Sequence, residues 1–490
     1  MVNDGLLRAR RQAAQRPRPL ILDDDGDLVY DERALQGPEA FAKLRLTDLV
    51  DAGVDSLAWC IMWGIAKGSE SSVRYWQTQK EGRPFQPNMP DPTPVVEAFC
   101  RRHGIEAFGS IRMNDCHDAF SMPSPQLLYP LKIEHPEFLL GDQSQQGGVE
   151  DGLAAAMWSG LNYALPAVRE DRLWWIEHTA KVYDLDGIDL NFFRMPWLFK
   201  PGEEADHIPL MTEFMRRARQ LVDAAAAQRQ RPLLLGVRVA DTVETCRRSG
   251  LDVESWLQED LVDRLLAGGG YASFCTPAAE MIALGHRYDV PVYPCINCPG
   301  TFDRGAGRGF EALRGAAANF WQAGADGIYL WNYQYLNTPH IAYGQPYPED
   351  YGHLAAIANP AHLARLDKIF SVNPRPLEQY ARASTSCPLP MELGQQRRGL
   401  AVRIGDDVST ASTLLLQVDL ENFAPGDELH IQFNDLILDG GQQREGEWTL
   451  ERTALRQGLN ELSIAVRKRG MAALAPLVLA EVRVLVRYND

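Results

Sequence analysis

Eight short apolar runs alternate with amphipathic helical stretches between residues 19 and 332, and this repeat constrains the fold more than any other feature. The runs are PLILDD (19–24), DSLAWCIMW (55–63), IEAFGSIRM (105–113), GIDLNFF (187–193), LLLGVRV (233–239), LVDRLLA (261–267), PVYPCIN (291–297) and DGIYLWN (326–332). Each is short and bounded by Gly, Pro or Asp, as buried strands are. Between most of them lie helical patterns, among them AVREDRLWWIEHTAKVYD (167–184), MTEFMRRARQLVDAAAAQRQ (211–230) and FEALRGAAANFWQAG (310–324). Parallel strands need such crossovers, and the glycines of VDAGVDS, RRHGIEA and WQAGADGI stand where a helix ends before a strand. Eight βα units predict an α/β chain with a closed (β/α)8 barrel, a TIM barrel, over residues 18–372. A doubly wound open sheet is the weaker reading, because no G-x-G-x-x-G follows the first run.

Residues 1–17 read as an N-terminal extension. Past residue 372 the pattern changes: residues 373–394, beginning NPRPLEQYARASTSCPLP, read as a linker. LAVRI, TLLLQVDL, ELHIQFN, NELSIAV and EVRVLVRY then alternate with period two, predicting a small all-β sandwich over 395–490 as an accessory or packing module. The long segment 114–166 and the segment 333–358 fall where barrels carry substrate-covering loops.

The net charge of −16 repels phosphate backbones and anionic membrane surfaces, so neither nucleic acid nor membrane is an expected partner. No run of about 18 apolar residues is present. The basic start MVNDGLLRARRQAAQRPRPL lacks the apolar core of a signal peptide, and a cytoplasmic location is expected. Eight scattered cysteines fit reduced thiols there, and the C-x-x-C of Cys295 and Cys298 lacks the second pair or thioredoxin-like context that a metal or redox role would want.

Reacting groups in a barrel come from the C-terminal ends of strands. In GIDLNFF, strand alternation turns Asp189 and Asn191 into the barrel and Ile188, Leu190 and Phe192 toward the helices. A carboxylate there needs partners or a function. Arg112, Arg194 and Arg238 occupy comparable strand ends and could clamp a carboxylate of the protein or of a substrate. Asn114, Asp115, His117 and Asp118 follow the third run; His117 is a candidate acid or base, a metal ligand, or an ordinary loop histidine. The first run leads into Asp23, Asp24, Asp25 and Asp27, an oxygen density resembling a divalent-cation loop without the EF-hand spacing, so no metal or other cofactor is expected. Trp59, Trp63, Trp197, Trp331, Asn332, Tyr333 and Tyr335 lie at or beyond strand ends, where aromatic faces stack on sugar rings; Trp63 and Trp331 are the leading platforms.

Taken together, YDLDGIDLNFFRMP, SIRMND, GVRV, LDVESWLQEDLVD and ADGIYLWN resemble the family-10-like glycosylhydrolase barrels over residues 18–372, and the C-terminal region resembles the module these proteins often carry. The resemblance implies a glycosidase acting on an oligo- or polysaccharide. At Asn191 this chain departs from it, since related sequences commonly carry an acid there.

Glycoside hydrolysis needs two carboxyl groups across the scissile bond. Asp189 is the expected first member, with Asp25, Asp118 or Asp263 as partner, and Arg112, Asn114, Asn191, Arg194, Arg238, Trp63, Trp331, Asn332 and Tyr333 as the substrate-binding set. An acidic sugar would suit the arginines. Two rival readings use the same residues: a lyase or isomerase acting on a uronic acid, and a glycan-binding barrel without catalysis.

Overall fold

The computed structural model describes residues 4–24, 37–61, 92–116, 119, 129–148, 155–268, 274–297, 309–331, 352–374, 387–438 and 445–488. Eight parallel strands close into a barrel in chain order: β1 (Leu20–Asp24), β2 (Ser56–Cys60), β3 (Glu106–Arg112), β4 (Gly187–Asn191), β5 (Leu234–Val239), β6 (Arg264–Ala267), β7 (Val292–Asn297) and β8 (Ile328–Trp331). All eight lie within the runs read from the sequence. β1 pairs with β8 through Ile21 and Tyr329, which closes the ring. No helix among the described residues is long and apolar enough to cross a membrane.

Alternation along each strand sorts side chains between the barrel interior and the helix layer. Trp59 meets Phe41 of the helix Pro38–Arg45 edge-on at 5.8 Å, so it faces the helices and is not a mouth aromatic. Asp24 faces the same way and takes two hydrogen bonds from Arg45 at 2.5 and 2.6 Å.

Residues 4–18 pack against the barrel. The helix Asp4–Ala14 lies under the N-terminal end of the barrel, where Ala14 packs with Phe108 and Leu234. Buried Arg18 donates to the carbonyls of Ala13 and Ala14 at its end and to both oxygens of Glu106 at the start of β3.

The C-terminal region is a sandwich of two antiparallel sheets. One runs β10 (Met391–Leu393), β17 (Leu477–Arg487), β12 (Thr413–Glu421), β15 (Glu445–Thr449), and the other β11 (Arg398–Ile404), β16 (Gly458–Lys468), β13 (Glu428–Phe433), β14 (Leu436–Ile437). Strand β12 alternates buried Leu414, Leu416, Val418 and Leu420 with more exposed neighbours, the pattern of one face on a core. A further strand, β9 (Lys368–Val372), falls at the end of the stretch read as barrel, yet it pairs antiparallel with β17. The five-residue run KIFSV is too short for periodicity to assign it to one sheet or the other.

Close backbone approach joins the two units. A side chain at Gly315, in the helix Phe310–Gln322, would collide with the Ile369 carbonyl, and one at Gly405 with that of Ala318. Arg487 reaches Glu311 of the same helix at 3.0 Å.

Candidate active site at the barrel mouth

The barrel interior is layered. At mid-height, Asp189 points inward as alternation predicts, but Arg264 at the start of β6 grips it: Nε donates to Oδ1 at 2.9 Å and Nη2 donates to Oδ2. Arg264 also donates to Ser56 Oγ at 3.1 Å and lies 3.2 Å from the centre of the Phe108 ring. Both charged groups are essentially sealed from solvent. A carboxylate held through both oxygens by one guanidinium, beneath the mouth, is a buried ion pair. Asp189, expected as the first catalytic carboxylate, is thus held in a buried ion pair with Arg264. Gly236, level with both residues, leaves them room, since a Cβ there would collide with Asp189 and Arg264.

Asp263, expected as a possible partner carboxylate, is also held in ion pairs. It precedes β6 at the closed end and binds Arg219 at 2.7 Å, Arg10 at 3.2 Å and the Leu235 backbone N–H at 2.8 Å. It ties the N-terminal helix and the helix Ile208–Arg229 to the barrel floor, far along the strand from the mouth.

Asn114 is an anchor for the long loop. Its Nδ2 donates to the carbonyls of Leu161 (3.0 Å) and Trp197 (2.7 Å), while its Oδ1 accepts from the backbone N–H of Leu161 (2.9 Å) and Asp115 (3.2 Å). Its amide, expected to bind substrate, bonds to the protein's own backbone. Asn191 turns inward and accepts from the Arg194 backbone N–H at 2.9 Å, shaping the turn after β4.

Higher in the barrel a different set converges. Asp23, on β1, is buried and accepts a hydrogen bond from the Tyr329 hydroxyl of β8 at 2.6 Å. The Arg238 guanidinium, from β5, lies 5.6 Å from the Tyr329 ring, 4.9 Å from Trp331 and 5.7 Å from Phe193. Arg194 lies 5.2 Å from the Trp331 ring. Arg112, at the end of β3, pairs with Asp115 at 2.8 Å. Trp331, expected as a sugar platform, is buried and has two guanidinium groups in cation–π range.

Burial sets the protonation here. It raises the Tyr329 phenol far above its ordinary value, the nearby Asp23 charge pushes the same way and Arg238 opposes both, so Tyr329 is a hydrogen-bond donor and not a base. Cys295, on β7, is pushed up to about 12 by burial, with Arg238 opposing, and remains a thiol.

Asp25, His117, Asp118, Trp63, Asn332, Tyr333, Tyr335 and Cys298 lie outside the described residues, as does most of the Asp23–Asp27 loop. Among the described residues no group of three or more His, Cys, Asp or Glu could hold a metal ion.

The pairing of Asp23 with Tyr329 and of Asp189 with Arg264 leaves no mark in the sequence. DLDGID and LVDRLL each show an interior charge by strand period, but only barrel closure brings β8 beside β1 and turns Arg264 across to β4.

No family model and no curated protein matches the chain. Among solved structures it is similar to TtGalA, an alpha-galactosidase from Thermus thermophilus, at 16% identity and a TM-score of 0.37 over 72% of this chain and 63% of that one; it thus spans less than two thirds of that enzyme. It is also similar to a GH30 endoxylanase from Clostridium papyrosolvens C71, at 10% identity and a TM-score of 0.41 over 97% of each chain. A tri-modular endo-beta-1,4-glucanase B from Bacillus halodurans follows, at 13% identity and a TM-score of 0.42 over 91% of this chain and 73% of that one. Likeness at this level identifies neither reaction nor substrate.

Proposed function

We propose that this chain hydrolyses glycosidic bonds of an anionic carbohydrate at the C-terminal mouth of its barrel, with Asp23 as the acidic group contributed by β1. The observation carrying this reading is a desolvated carboxylate near the C-terminal end of a barrel strand, hydrogen-bonded by a phenol that stays protonated. That is the position from which barrel enzymes act on substrates. A carboxyl group in such surroundings can be tuned to donate or accept a proton near neutral pH.

Arg112, Arg194 and Arg238 bring positive charge to the same end of the barrel, and guanidinium groups suit a sugar carboxylate or sulfate. Hydrolysis requires a second carboxyl group. Asp25 stands two residues after Asp23 in the chain and Asp118 three after Asp115, and either supplies it in this proposal. His117 is the accompanying acid or base candidate.

The test is a panel of aryl glycosides, aryl glycuronides and acidic oligosaccharides, followed by release of aglycone and new reducing ends. Hydrolysis by the wild-type chain, lost in Asp23→Asn and retained per folded molecule in Asp189→Asn, is the expected pattern. Equal activity of Asp23→Asn and wild type removes Asp23 from the chemistry. An unsaturated uronate product in place of a water-derived reducing end overturns hydrolysis in favour of elimination.

A further inference from the structure

Seven of the eight cysteines lie among the described residues; Cys60, Cys100, Cys116, Cys246 and Cys295 are buried, whereas Cys275 and Cys387 are partly exposed. Those two face each other with their sulfurs 3.9 Å apart, although 112 positions separate them in the chain. Cys275 belongs to the segment that follows β6, and Cys387 stands four residues before β10 of the sandwich. A second contact fixes the segment beside Cys275: the Phe274 backbone N–H donates to Oδ1 of Asn373, itself fully buried just after β9, at 3.1 Å.

We propose that Cys275 and Cys387 are an oxidisable dithiol that closes to a disulfide, a covalent modification site clamping the post-β6 segment of the barrel to the entrance of the sandwich. The sulfurs already touch, and each needs to move about 1 Å to reach the ~2.05 Å of the bond. The Phe274–Asn373 hydrogen bond holds the backbone beside Cys275 while its side chain turns. Partial exposure gives an oxidant access to these two thiols that the five buried ones lack.

The co-reactant is a small-molecule disulfide. The thiolate of one cysteine attacks a sulfur of the oxidant, forming a mixed disulfide and expelling one small thiolate. The second cysteine attacks the protein sulfur of that mixed disulfide, forms the Cys275–Cys387 bond and expels the second small thiolate. Two protein thiols are oxidised, one small disulfide is reduced to two small thiols, and the two protein protons end on those thiols. The new bond closes a loop of more than a hundred residues, where restriction of the unfolded chain is large.

The experiment uses the native full-length chain, equilibrated with graded ratios of oxidised to reduced glutathione, quenched in acid and alkylated. Intact mass and peptide mapping then identify the products. Oxidation is expected to remove two alkylatable thiols, lower the mass by two hydrogens, and yield one cross-linked peptide containing Cys275 and Cys387. The unfolding temperature should rise on oxidation and return with dithiothreitol. In Cys275→Ser and in Cys387→Ser, the surviving partner should instead retain one glutathionyl group, because the resolving thiol is gone. Independent glutathionylation of both cysteines in the wild type, or a cross-link appearing only after denaturation, would overturn the proposal.

Discussion

Arg264 reaches across the barrel from the first position of β6 and takes both carboxylate oxygens of Asp189 on β4, with Ser56 of β2 bound to the same guanidinium. Three strands that are not neighbours are thereby tied through the middle of the barrel. A buried layer of paired charge crosses the barrel at this level.

Because both partners are sealed from water, removing one strands the other's charge. Asp189→Ala is expected to cost about 3–5 kcal/mol of stability, and Gly236→Ala should also destabilise by forcing the pair apart. Urea unfolding midpoints measure this. A midpoint for Asp189→Ala within error of wild type would refute the structural role.

Asp23→Asn keeps the shape of the side chain and an oxygen for Tyr329, so the fold should persist. Under the proposed function the turnover number falls roughly a hundred- to ten-thousand-fold. Tyr329→Phe leaves Asp23 without this donor and should lower the turnover number by less. Since burial holds the phenol protonated far above its ordinary range, Tyr329 should add no phenolate absorbance in an alkaline titration of the native protein.

The N-terminal helix is expected to be required for stability. Arg10 pairs with Asp263 at 3.2 Å and Asp260 at 2.5 Å, and its loss leaves Asp263 with Arg219 as its cationic partner among the described residues. Arg10→Ala should destabilise by about 2–4 kcal/mol, below the cost of stranding a charge completely, and removal of residues 1–14 by more. Thermal unfolding of the two variants checks the order.

His178 stacks on Trp174 at 4.7 Å, and its partial burial lowers its pKa below the ordinary 6.5. The unfolded chain therefore takes up this proton first on acidification. The contribution is present above pH 6.5 and is lost as pH falls through the lowered native value. Wild type should lose slightly more stability than His178→Gln between about pH 7.5 and about pH 5. Parallel pH profiles for the two proteins would contradict this.

Cys295 should be inert while the protein is folded. A pKa near 12 against an ordinary 9 leaves about a thousandfold less thiolate at neutral pH, inside a closed barrel. Alkylation of Cys295 by iodoacetamide is expected only after denaturation. Labelling of the native protein at the rate of an exposed thiol would show that solvent reaches the interior.

The barrel was legible in the chain because strand runs, helical periods and capping glycines are local signals, and each of the eight runs contains its strand. Alternation likewise turned Asp189 and Asn191 inward correctly, since the period of two is a property of one strand alone. The five sandwich runs were equally readable; β9 was not, because KIFSV carries no mark of which sheet it will join. What the residues by themselves determined is thus the order of elements and the face each side chain takes. Which charge meets which was decided by tertiary structure. Closing the ring brings Tyr329 to Asp23 across 306 positions of chain, sends Arg264 to Asp189 and lays Arg10 against Asp263. An isolated carboxylate in sequence looks the same whether a guanidinium or a phenol will bond it, and only the distances in the folded barrel tell Asp189 from Asp23.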